Sequence, residues 1–121
     1  MKNTNWSKSH FCTYIFLCIA YSDDKITVSE IVNIKDFLSK INISDEEAKE
    51  IIKEVCFLLN SQNLKERLVF IAHTYKDFFN TSDDLSPLMN DIEDLILADN
   101  NIEKSEILMY NKIRKAMNVM E

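Results

Sequence analysis

Glycine is missing from all 121 positions of this chain. At its usual frequency of roughly 7%, about eight glycines would be expected. The absence removes every phosphate-cradling glycine loop: the Walker A motif, the dinucleotide-binding fingerprint and the nucleophile elbow. It also removes the Asn-Gly and Asp-Gly turns that make tight hairpins. The expected class is therefore all-α, with turns made by Asn, Asp and Ser.

Length sets one domain over residues 1–121, large enough to bury a real core. The apolar content of 46% is that of a globular chain, not a disordered one. The formal net charge is -6, and of the basic residues only Arg67 and Arg114 are arginine. Nucleic-acid binding needs a basic face that displaces counterions, so no nucleic-acid partner is expected. The acidity suits solubility, cation binding or docking onto a basic protein partner.

Cys12, Cys18 and Cys56 stand among apolar neighbours, without C-x-x-C or C-x-x-H spacing. They read as small buried residues in a reducing cytoplasm rather than as a zinc or redox site. Lys2 and Lys8 precede an apolar run from Phe11 to Tyr21, which has the outline of a signal peptide. The run is too short to span a bilayer, and the fold needs it as a helix.

Six amphipathic helices follow from the spacing of apolar residues. The first covers about Ser7 to Tyr21, with Phe11, Ile15, Cys18 and Ile19 inward. The second, about Val28 to Lys40, carries Ile31, Ile34, Leu38 and Ile41 on one stripe. The third opens on the capping box Ser44-Asp45-Glu46-Glu47, with Ala48, Ile51, Ile52, Val55 and Leu59 at helical spacing. The fourth starts near Asn63, with Leu64, Leu68, Ile71, Ala72, Tyr75 and Phe79 inward. The fifth opens at Ser86-Pro87 and runs through Ile96, with proline at its first helical position. The sixth spans about Lys104 to Asn118, with Ile107, Tyr110, Ile113 and Met117 inward. The longest connection, Asn80 to Leu85, is too short to separate domains.

Two segments match at an offset of 76 residues, Ser22 to Ile31 and Ala98 to Ile107. Their shared pattern is Asp-[Asp/Asn]-x-Ile-x-x-Ser-Glu-Ile, so two helix-loop-helix units of one design are expected. In each, the Asp closes one helix and the Glu enters the first turn of the next, at the positive end of its dipole. Side chains there lean back toward the N-terminus, so Asp and Glu of one unit can meet at one loop. Capping is one reading: Thr27 to Glu30 is itself a capping box, whereas Glu103 is a poor cap in the second copy. A divalent-cation site built from Asp23, Glu30, Asp99 and Glu106 is the other. Calcium takes six to eight oxygens, so carbonyls, water or both loops together would have to complete the shell.

These loops are not EF-hands. Aligning Ile26 and Glu30 with the end of such a loop puts Ile19 and Tyr21 where its first carboxylates belong. In the second copy Leu95 and Leu97 stand there, and neither loop has the glycine.

With its paired Asp-x-x-Ile-x-x-x-Glu segments, the chain resembles the TerB-like family, associated with tellurite resistance. The resemblance implies an all-helical fold of two related halves, each with a motif close to Ala-Asp-Gly-x-Ile-x-x-x-Glu. The second copy matches at Ala98, Asp99, Ile102 and Glu106, and the first at Asp23, Ile26 and Glu30. Ile43 to Ala48 also resembles the family's entry to its third helix. The departures are Asp24 and Asn100 in place of glycine. Both are residue types that tolerate a left-handed backbone, so both are expected at positive φ. The resemblance implies roles in chemical stress, phage or colicin resistance and membrane-linked stress complexes. It also implies metal binding by Asp23, Glu30, Asp99 and Glu106.

No nucleophile–base arrangement is legible, so a non-enzymatic chain is expected. His10 and Cys12 are two apart and diverge on a helix, and His73 reads as partly buried or as a polar rim. Trp6, Tyr75, Phe78 and Phe79 read as core packing and terminal docking. The expected function is a cytoplasmic stress-response or accessory binding domain, with a divalent cation held by the acidic loops. The alternative is a small acidic interaction module, such as an immunity protein that neutralises a basic toxin.

Overall fold

A computed structural model describes residues 6–20, 28–78, 90, 93–94 and 104–117, without the side chains at 29, 30 and 104–106. The described residues form α-helices joined by turns, with no strand. The helices are α1 (Lys8–Ala20), α2 (Val28–Lys40), α3 (Asp45–Asn60), α4 (Leu64–Thr74) and α5 (Lys104–Ala116). A short 3₁₀ turn, Tyr75–Asp77, extends α4. The expected helix from Ser86 to Ile96 falls mostly outside the described residues; within it Asn90, Glu93 and Asp94 are helical.

α1 is the centre of the fold. Phe11, Ile15, Cys18 and Ile19 are buried as expected, but so is every other residue from Phe11 to Ala20. A helix that is apolar on all sides must be covered on all sides. α3, α5 and α2 pack around it, and α4 closes against α5. One core cluster unites the five helices, from Trp6 to Met117. Phe16 meets Phe37 of α2 edge-on at 4.7 Å between ring centres, and Phe11 stacks on Phe78 at 5.6 Å.

Local chemistry sets the helix ends. Asn42, the residue with positive φ among those described, sits at 68° just beyond α2. The Ile43 N–H donates to the Leu38 carbonyl at 3.0 Å, and the Asn42 N–H to that of Ser39 at 3.1 Å. That pair of bonds is the Schellman termination, with Asn in the place glycine usually takes. Ser44 caps α3 by accepting from the Glu47 N–H at 3.2 Å. The return arm of the expected box is different: the Ser44 hydroxyl, not its backbone N–H, approaches Glu47 Oε1, at 3.4 Å. The full capping box lies at α4, where Asn63 and Glu66 exchange two bonds of 2.8 Å.

The five inward residues expected of α3 are all buried. Three other expectations are corrected. Ile41 is 44% exposed because α2 stops at Lys40 and Ile41, whose N–H bonds the Leu38 carbonyl at 3.1 Å, lies in the tighter turn beyond it. Leu64, the first residue of α4, is 41% exposed. Ile107 is 45% exposed because Met109, Tyr110, Ile113 and Met117 form the buried face of α5. The centre of that face lies about 100° round the helix from Ile107.

Candidate functional site

The acidic motifs open α2 and α5. Glu30 and Glu106 are each the third residue of a 13-residue helix. A carboxylate in a first turn meets unpaired N–H groups and the positive end of the dipole. Asp23 and Asp99 lie outside the described residues, as do Asp24 and Asn100 with their expected positive φ. Among the described residues, no group of three or more His, Cys, Asp or Glu is arranged to hold a metal ion.

The described carboxylates gather on α3. Asp45 faces Lys49 at 3.4 Å and Lys35 of α2 at 3.9 Å. Glu54 reaches toward α1, with its Oε1 3.5 Å from Nε2 of His10. That separation is longer than a good hydrogen bond. The other ring nitrogen of His10, Nδ1, lies 3.0 Å from Ser7 Oγ and accepts from the Ser7 N–H at 3.3 Å. The His10 N–H returns a 3.4 Å bond to Ser7 Oγ, so His10 plays the part that Glu plays in a capping box. Trp6 covers this corner, stacked on His10 at 5.5 Å and edge-on to Phe70 at the same distance. Trp6 and Phe78 thus serve packing, as expected, and His73 lies exposed on α4.

A buried polar cluster joins α1 to the turn between α3 and α4, and residue spacing does not reveal it. The Tyr14 hydroxyl donates to Gln62 Oε1, 48 residues away. Arg67 of α4 donates from Nη2 to the Leu59 carbonyl at 2.8 Å, serving an end of α3 where free carbonyls concentrate. Burial pushes the pKa of the Tyr14 phenol well up and keeps it neutral, and the neighbouring Cys18 adds to the rise. Burial likewise pushes the Cys18 thiol up to about 12, against the opposing pull of the Arg67 charge. A thiol so placed stays protonated near neutrality and is not an activated nucleophile. Cys12 is also buried and Cys56 half-buried; all three are free thiols.

No described helix is long and apolar enough to cross a membrane. Comparison of the chain with known protein families, with curated proteins and with solved structures returns no match.

Proposed function

We propose that the chain is a non-enzymatic TerB-like accessory domain of the cytoplasm, acting in stress response, that holds a divalent cation through Asp23, Glu30, Asp99 and Glu106. The observation that carries this reading is registration. Val28–Lys40 and Lys104–Ala116 begin and end 76 residues apart, the offset of the sequence repeat. Each helix therefore offers its motif Glu as its third residue, seven positions after the motif Asp in the sequence. The donor set is four carboxylates without sulfur or imidazole. Such a set favours a hard cation, calcium or magnesium, over zinc or copper. When bound, the cation would offset the mutual repulsion of the carboxylates and tie the two loops together. Calorimetric titration of the metal-free chain with calcium, magnesium, manganese and zinc tests this. Binding heat in the parent, abolished by Asp23→Ala with Asp99→Ala, supports the reading; no heat with any of the four ions removes its metal part.

The net charge of -6 favours a second reading, an acidic module that docks on a basic protein as an immunity protein does. A pull-down at low salt that recovers no basic partner counts against it.

A further inference from the structure

Two exposed helix stripes on this molecule complement one another in charge and in spacing. On α3, Glu50, Glu54 and Phe57 share one face, and Phe57 is 81% exposed. That stripe runs from acidic to apolar in chain direction. On α5, Leu108, Asn111, Lys112 and Lys115 share an exposed face, with Leu108 60% exposed. That stripe runs from apolar to basic. In both, the apolar residue and the far charge are seven positions apart, two helical turns or about 10 Å. An antiparallel pairing therefore sets Phe57 on Leu108 and Glu50 on Lys115 at the same time. Among the described residues, Glu50, Lys112 and Lys115 have no ion-pair partner. α3 and α5 each pack on α1, and the stripe residues named here are exposed on the far sides of both helices.

We infer that the outer face of α3 docks on the outer face of α5 of a second copy of this chain. The two patches differ, so the contact is head-to-tail and grows beyond a pair unless the rotation closes a ring. A helix-on-helix contact falls below the roughly 1,200 Å² of a standard interface, which makes the association weak and concentration-dependent. One residue opposes it: Lys53 shares the α3 stripe and falls opposite Lys112. That conflict separates this surface from general charge effects. Lys53→Glu makes each copy more acidic, so net repulsion alone would weaken association, whereas this pairing strengthens it.

The test is the weight-average mass of the full chain by sedimentation, from about 10 μM to about 1 mM. Salt of about 0.1 M screens net repulsion beyond about 10 Å and leaves contact pairs intact. Mass is expected to rise with concentration. Glu50→Lys or Lys115→Glu alone should weaken association about fivefold, and the two together should restore it. Phe57→Ser should weaken it further and Lys53→Glu should strengthen it. All four positions are exposed, and unchanged helical circular dichroism verifies that each variant folds. A chain that stays monomeric to the highest concentration overturns the inference. So does an association indifferent to the Glu50–Lys115 exchange, which would place the contact on another surface.

Discussion

Asn42 shows at a single residue how α2 ends without a glycine. The left-handed region costs an ordinary L-residue about 1–2 kcal/mol, and Asn meets it at the low end. Asn42→Gly should leave stability unchanged or raise it by up to about 1 kcal/mol, while Asn42→Val should lower it by at least about 1 kcal/mol. Urea midpoints of the two variants decide this, and equal midpoints would contradict the conformational account. Cys18 and Tyr14 carry a different signature, in pH. Both are held neutral by burial, Cys18 up to about 12. Unfolding exposes them, and the unfolded chain then gives up these protons more readily. Their contribution to stability is full below the ordinary thiol range near pH 8.5 and is lost as pH rises from there, first through Cys18 and then through Tyr14. The slope approaches about 1.4 kcal/mol per pH unit for each group once it ionises only in the unfolded chain. Urea midpoints should fall between pH 7 and about pH 10, and Cys18→Ala should flatten the first part of the fall. A flat profile in the parent chain would show that neither group is buried neutral.

At the scale of helices, legibility followed periodicity. α3 was readable because five apolar residues recur at helical spacing behind a Ser cap, and all five are buried. α1 was readable as a helix but not as the centre. Ten consecutive buried residues carry no period, so an inward stripe can be chosen but not justified. The links from Tyr14 to Gln62 and from Arg67 to Leu59 depend on how helices meet, which spacing within one helix does not encode. The repeat was legible as residues, and its Glu positions as helix openings, while Asp23 and Asp99 lie outside the described residues. The central place of α1 has a measurable consequence. Ile15 and Leu17 lie on nearly opposite sides of the helix, about 200° apart, yet both are fully buried. Ile15→Ala and Leu17→Ala should each cost about 2–5 kcal/mol. In a one-sided surface helix, only one of the two would.

At the scale of the molecule, the one core cluster of the described helices implies that these helices unfold in one cooperative transition. Buried residues of α1, α2, α3, α4 and α5 belong to the same cluster, so none of these described helices has a separate core to retain when the others separate. The protein supplies two probes that sample different parts of this unit. Its single tryptophan, Trp6, is buried against His10, Tyr14 and Phe70 at one edge. Far-ultraviolet circular dichroism reports all helices together. Urea unfolding followed by Trp6 emission and by dichroism should give coincident curves with one midpoint and one slope. An early change in Trp6 emission, with the helices intact, would mean that the N-terminal corner opens by itself. Such a result would confine the cooperative core to what lies behind His10 and Tyr14. Glu54→Gln distinguishes the causes: it removes the charge facing His10 while leaving the core unchanged. If the two curves coincide in the parent and separate in Glu54→Gln, the contact between His10 of α1 and the Glu54 carboxylate of α3 is what joins the corner to the rest.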